Sequence, residues 1–118
     1  MNKAEIYKLI IKLGIPAGHD GFKYIMEAAI SADTSKSNNM RDIFSTVGEK
    51  YLNRKNNSVS RNNVEKMIQR SIEYAYDHKP EVFKEIFGYD ERPSNKQFIC
   101  AIVNYFRYGV EDTTSSIS

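Results

Sequence analysis

One predicted helix of this sequence carries polar side chains that are suited to contacting the edges of DNA bases. Val64, Ile68 and Ile72 recur at helical spacing, so one face of the segment 61–78 is predicted to be buried. The opposite face holds Asn62, Lys66, Gln69 and Glu73, with Asn63 and Arg70 beside them. Because Asn and Gln amides pair bidentately with adenine and Lys donates to guanine, this face has the chemistry of major-groove readout.

The chain around the start of that helix is its most basic part. Residues 50–70 hold six Lys and Arg side chains against Glu65 alone, a charge of +5, so the total of +2 leaves −3 for the rest. The candidate phosphate contacts here are Lys55, Ser58, Ser60 and Arg61. A polar, basic face is also typical of a solvated helix in a bundle that binds no DNA. Composition alone therefore leaves both interpretations open.

The elements that must position this face are predicted to be helices throughout. Apolar residues recur at helical spacing along the chain, and no segment alternates with a period of two. The predicted helices cover about residues 3–13, 20–33, 40–52, 61–78, 80–88 and 94–108. We therefore expect an all-α domain, a six-helix bundle over residues 1–108, followed by a flexible tail over residues 109–118.

Several polar residues are predicted to begin these helices. Asp20 and Ser60 are candidate N-caps of the second and fourth helices. Ser94 and Gln97 form a capping-box pattern at the start of the sixth helix, because each side chain can bond the other residue's backbone N–H.

The third and fourth helices form a helix-turn-helix candidate. The connecting residues 53–60 contain too little apolar surface to pack and are predicted to form an exposed turn. Gly48 lies inside the third helix, where a Gly costs about 1 kcal/mol relative to Ala. That choice makes sense if another helix must approach closely.

Composition and motifs exclude several other classes of protein. At 118 residues the chain fits one domain, and its longest apolar run, Phe98 to Val103, is far short of the roughly eighteen residues that cross a bilayer. The N-terminal residues lack the features of a secretory signal, so we expect a cytoplasmic protein without a membrane span.

Neither a cofactor nor catalytic chemistry is indicated. Cys100 is the only cysteine, and it has no cluster of histidines at metal-ligand spacing. His19 is predicted to lie at the surface, and His78 to interact with the dipole at the end of the fourth helix. Because no acid/base pair or nucleophile motif is present, we expect no enzyme, no cofactor and no metal site.

Three groups of residues spread along the chain resemble a known family. The most specific is Leu13-Gly14-Ile15-Pro16-Ala17, followed three residues later by Gly21-Phe22-Lys23-Tyr24-Ile25-Met26-Glu27-Ala28. Further matches are Val64-Glu65, Ile68, Ile72-Glu73 and Ala75 in the fourth helix, then Phe87-Gly88-Tyr89 and Pro93-Ser94-Asn95. Over residues 6–107 the chain resembles the C-terminal DNA-binding domain of the master sporulation response regulator of endospore-forming bacteria.

The resemblance implies a fold, a function and partners. That domain is a six-helix bundle that reads a short major-groove site, often as tandem dimers, and contacts the sigma subunit of RNA polymerase. The implied partners are therefore double-stranded DNA, the sigma subunit and a second copy of the chain. The family's receiver domain lies outside the 118 residues, and the Met1 start favours a stand-alone protein over an excised domain.

Carried over residue by residue, the resemblance also implies a changed binding site. Glu65 keeps the family's identity, whereas family arginines fall at Asn63, Lys66 and Gln69. A bidentate Arg contributes about 1–3 kcal/mol of discrimination at a guanine, and neither Asn nor Gln replaces it. The turn before the fourth helix is also several residues longer than the family's.

Two functional hypotheses follow. The leading one is a sequence-specific transcription regulator that reads duplex DNA with the helix 61–78 and contacts bases through Asn62, Asn63, Glu65, Lys66, Gln69 and Arg70. The alternative is a protein-interaction module, or an antagonist of a related regulator or of RNA polymerase, that has lost base-specific readout. The retained basic turn predicts affinity for DNA, and the loss of the arginines predicts an altered sequence specificity.

Overall fold

The computed structural model describes residues 2–34, 39–51 and 57–108, and within these ranges the chain forms six α-helices. They are α1 (Lys3–Leu13), α2 (Asp20–Thr34), α3 (Met40–Glu49), α4 (Arg61–His78), α5 (Pro80–Phe87) and α6 (Asn95–Tyr108). The predicted all-α class and all six helices are confirmed. The tail predicted over residues 109–118 lies outside the described residues.

The predicted caps of α4 and α6 are present. The Ser60 hydroxyl accepts a hydrogen bond from the Asn63 backbone N–H at 3.2 Å. The capping box before α6 is reciprocal, since Gln97 N–H donates to Ser94 Oγ at 3.2 Å and Ser94 N–H donates to Gln97 Oε1 at 2.8 Å. These bonds satisfy backbone donors that would otherwise lack partners at a helix start.

Two helix ends differ from prediction by a few residues. Asp20 is the first helical residue of α2, not its N-cap, because the Phe22 N–H already donates to the His19 carbonyl at 3.0 Å. The second difference is at the end of α3, which is at Glu49 and not at Leu52. The Gly48 carbonyl accepts the Val59 N–H at 3.0 Å, so it is already engaged by the incoming chain where a continued helix would need it.

The core is built around α2, which packs against α3, α4 and α6. Its buried residues include Phe22, Ile25, Ala28 and Ala29, and α4 contributes Val64, Ile68, Ile72 and Ala75. α6 adds Phe98, Ile99 and Ile102. The buried stripe of Val64, Ile68 and Ile72 predicted for α4 is therefore confirmed, and this stripe fixes which face of α4 points outward.

Two glycines allow backbone to approach closely on either side of α4. A Cβ at Gly21 would collide with the Ser71 side chain and with the Met67 carbonyl of α4. A Cβ at Gly48 would collide with the Val59 carbonyl. The close approach predicted at Gly48 is therefore confirmed, but its partner is the backbone just before α4 and not another helix.

Val59 also corrects the prediction that residues 53–60 are unpacked. Its side chain is only 8% exposed and belongs to the core. The Val59 N–H donates to the carbonyls of Gly48 and Tyr51 at 3.0 and 3.2 Å, which draws the end of the turn onto α3. Sequence reasoning missed it because a single apolar residue in a polar stretch has no periodic partner.

Candidate nucleic-acid interface

The polar face predicted on α4 points away from the core. Asn62, Asn63, Lys66, Gln69 and Arg70 are all exposed in the structure. Their backbone is fixed by the buried stripe on the other side of the helix and by the Ser60 cap at its start. Five of the six predicted base-contacting residues therefore share one accessible surface, which we call the outer face of α4, and the sixth, Glu65, is half-buried at its edge.

The free charges on the outer face are cationic. Lys66 and Arg70 form no ion pair with any side chain in the described part of the chain. An exposed, unpaired Lys or Arg keeps its donors available for a phosphate or a base edge. The amides of Asn62, Asn63 and Gln69 supply neutral donors and acceptors between them.

Two acidic side chains at the edge of the outer face, Glu65 and Glu73, are paired with arginine, whereas Asp77, one turn beyond Glu73, forms no ion pair among the described residues. Glu65 Oε2 lies 3.2 Å from Arg61 Nη1, and Glu73 Oε2 lies 3.1 Å from Arg92 Nη1. Exposed ion pairs of this kind contribute little to folding stability, about 0–1 kcal/mol. Their consequence here is electrostatic, because each pair cancels a negative charge that would repel a phosphate backbone.

Arg61 and Arg92 thus have contacts that sequence reasoning did not predict. Arg61, a predicted phosphate contact, is one-third exposed and is held by the Glu65 carboxylate one turn along α4. Arg92 was not a candidate at all, since it lies 19 residues beyond Glu73 in the chain. No local spacing links such distant residues, so no sequence signal was available.

The beginning of the turn is anchored on α2. The Tyr51 ring packs edge-on against Tyr24 at a centroid distance of 5.3 Å, and Lys23 Nζ lies 4.9 Å from the Tyr51 ring centre. Burial raises the pKa of both Tyr24 and Tyr51 above the ordinary value for tyrosine. Lys50 Nζ adds an ion pair with Glu27 at 2.9 Å.

The predicted phosphate contacts near the turn are only partly described. Ser58 and Ser60 are exposed, next to the buried Val59. Lys55 lies outside the described residues. The Ser60 hydroxyl accepts its hydrogen bond as a cap, and it keeps its own proton for donation to a phosphate oxygen.

The histidines lie on a different surface, beside Tyr74. His78 stacks on the Tyr74 ring at 4.1 Å, and its Nδ1–H donates to the Tyr74 carbonyl at 2.7 Å in the last turn of α4. His19, predicted at the surface, is half-buried between Tyr74 and Ser71.

Among the described residues, no group of three His, Cys, Asp or Glu side chains is placed to hold a metal ion. Nor is any helix there long and apolar enough to span a membrane.

Comparison with known proteins agrees with this arrangement. No solved structure matches the chain. The family model described as "Sporulation initiation factor Spo0A C terminal" matches residues 6–106, which is nearly the whole chain. That family consists of DNA-binding domains and not of enzymes. The chain therefore belongs to the Spo0A C-terminal family, the DNA-binding effector domain of a sporulation response regulator.

Proposed function

We propose that this domain is a sequence-specific regulator of transcription that inserts α4 into the major groove of duplex DNA. The observation that carries the proposal is the outer face of α4, where exposed amides lie among free cations and the two nearest acids, Glu65 and Glu73, each have an arginine partner. The second helix of a helix-turn-helix reads bases in this way, while the first crosses the backbone.

Each side chain of the outer face has a chemical role in this proposal. The amides of Asn62, Asn63 and Gln69 suit adenine, whereas Lys66 and Arg70 suit guanine or a nearby phosphate. Glu65 keeps one carboxylate oxygen free of Arg61, and a carboxylate oxygen accepts from the amino group of cytosine. The neutral and charged groups together suit a DNA site that contains both A·T and G·C base pairs.

Phosphate contacts set the register of the domain on the duplex. We assign them to Lys55, Ser58, Ser60 and Arg61, at and before the start of α4. Such contacts strengthen binding to every duplex alike and make it depend on salt concentration.

The site read by this domain differs from that of relatives with arginines on this helix. Asn63, Lys66 and Gln69 occupy the positions where the sequence resemblance places those arginines. An Arg fork that pairs bidentately with guanine is lost at all three, and Lys can donate only as a point charge. Membership of the family further suggests two protein partners, the sigma subunit of RNA polymerase and a second copy of the chain on DNA, inside the cytoplasm.

The loss of the arginines also supports a second function. A domain that keeps the fold without base readout would act as a protein-interaction module, antagonising a related regulator or the polymerase. Selection from a pool of random-sequence duplexes at a stated salt concentration separates the two. We expect an enriched sequence motif. Weak, salt-sensitive binding with no enrichment would favour the interaction module.

A further inference from the structure

We infer that a second stretch of DNA backbone is held beside α4, in a cleft whose cations are Lys96 and Arg92. The inference rests on the proposed function and extends it to residues that no motif singled out. The cleft has a volume of about 590 Å³ and lies between the first turns of α3, the middle of α4 and the segment 92–97. Its occupant is the sugar-phosphate backbone of one strand.

The cleft is continuous with the outer face of α4. Gln69 and Glu65 line it on one side, and Arg92 and Lys96 line it on the other. A DNA duplex bound along the outer face would therefore present its adjacent strand to the cleft. The major groove of B-DNA is about 12 Å wide, and a helix with its side chains is about 10–12 Å across. A helix therefore fills the groove, and protein elements beside it lie next to the sugar-phosphate backbones that border the groove.

The free charge of the cleft complements a polyanion. Lys96 is exposed and has no ion-pair partner among the described residues. Arg41 is exposed in the first turn of α3, next to the lining residue Met40. The acid of the cleft, Glu65, is already paired with Arg61. Among the residues that line the cleft, the uncompensated charge is therefore that of Lys96. Beside the lining, the cation Arg41 is offset by the exposed acids Asp42 and Glu91.

Two contacts hold the segment 92–97 against α4 before any ligand arrives. Asn95 Nδ2 donates to the Glu65 carbonyl at 2.9 Å, and Arg92 is paired with Glu73 at 3.1 Å. The reciprocal bonds between Ser94 and Gln97 fix the segment itself. A surface that is ordered in the free protein loses little conformational entropy on binding. This distinguishes the cleft from a chance group of surface lysines.

The position of α3 indicates the same occupant. In a helix-turn-helix the first helix crosses the DNA backbone. The cleft begins at Met40 and Phe44, which lie in the first and second turns of that helix. Lys96 and Arg92 would add backbone contacts next to the first turns of α3, away from the turn that precedes α4. The backbone would thus be contacted at two places, one at the start of α4 and one beside its middle.

The test measures how binding to one duplex depends on salt for matched lysine variants. The duplex is the sequence enriched from the random pool, with fluorescence anisotropy as the readout. Lys96→Ala is compared with Lys8→Ala, an exposed α1 lysine outside the cleft, and with Lys66→Ala on the outer face. We expect Lys96→Ala to weaken binding about five- to tenfold at 0.1 M salt and to reduce the salt slope by about 1, with the preferred sequence unchanged.

The contribution of Arg92 must be measured in a variant whose partner acid, Glu73, has been made neutral. Arg92→Ala alone uncovers Glu73, whose charge would itself repel phosphate, so Arg92→Ala/Glu73→Gln is compared with Glu73→Gln. We expect the double variant to bind several-fold more weakly and with a lower salt slope than the single one. Equal binding would mean that Arg92 only masks Glu73, and would overturn its role in the cleft.

The outcomes separate this inference from the proposed function. If Lys66→Ala weakens binding while Lys96→Ala behaves like Lys8→Ala, the cleft does not hold DNA, although the domain still binds it. If Lys96→Ala changes the preferred sequence, a backbone contact is also ruled out. If the wild-type protein enriches no sequence from the random pool, the proposed function itself fails.

Discussion

The two sides of α4 differ in what constrains their residues. On the inner side Val64, Ile68 and Ile72 are at most 1% exposed, and the carbonyl of Met67 lies against Gly21. On the outer side Lys66 and Gln69 are exposed, and their side chains form no hydrogen bond or ion pair with the described residues. A substitution on the inner side must fit a packed volume, whereas one on the outer side changes only the chemistry offered to a ligand.

This difference allows the exposed residues of α4 to vary while the chain keeps its family's fold. The family match extends over residues 6–106, yet the positions where resemblance places arginines hold Asn63, Lys66 and Gln69. The residues that fix the fold and the residues that we propose to contact DNA are therefore different residues of the same helix. Perturbing one side should leave the property governed by the other side unaltered.

The largest effect is expected from crowding the packed side of the helix-turn-helix. Gly48→Ala would push a Cβ into the Val59 carbonyl, and backbone cannot rotate away as a side chain can. We expect the free energy of unfolding to fall by about 1–3 kcal/mol, despite the better helix propensity of Ala. Urea denaturation measures it.

The matched control for Gly48→Ala is Gly18→Ala. Nothing lies within 4 Å of a Cβ at Gly18, so its stability should change by less than about 0.5 kcal/mol. Equal losses for the two variants would mean that the contact between Gly48 and Val59 does not constrain the fold.

On the outer face, substitutions are expected to weaken DNA binding and to leave the free energy of unfolding unchanged. Lys66→Ala and Gln69→Ala should each cost about 1–3 kcal/mol of binding to the preferred duplex, because each removes donors to a base edge. Unfolding curves should stay within about 0.5 kcal/mol of the wild type. Unchanged affinity of both variants for the preferred duplex would remove α4 from the role of recognition helix.

A smaller and less selective effect is expected from Lys55, assigned to a phosphate. Lys55→Ala should weaken binding to preferred and scrambled duplexes by the same factor, about five- to tenfold at 0.1 M salt, and lower the salt slope by about 1. Titrations of both duplexes at several salt concentrations measure the two quantities. A loss confined to the preferred duplex would instead make Lys55 a base contact.

Local sequence signals were sufficient for the helices and for the outer face. The stripe of Val64, Ile68 and Ile72 has the helical period, and it places Lys66 and Gln69 opposite without reference to any other element. Similarly, the capping box before α6 lies within four residues. Each of these features depends on interactions between near neighbours in the chain.

Contacts between distant residues account for what the sequence did not predict. The pairing of Arg92 with Glu73 and the burial of Val59 against α3 depend on how helices pack in space. The fit of Gly21 against α4 is of the same kind, since its neighbours Met67 and Ser71 lie far along the chain. The cleft beside α4 arises from three such elements and has no counterpart in any single motif.

The central claim is that the outer face of α4 determines which DNA sequence the domain binds, while the buried side of α4 determines the fold. The most direct measurement is selection from random duplexes, run in parallel for the wild-type protein and for the variant Asn63→Arg/Lys66→Arg/Gln69→Arg. We predict that the variant unfolds like the wild type and enriches a different motif, richer in guanine at the contacted positions. Enrichment of the same motif by both proteins would contradict the account.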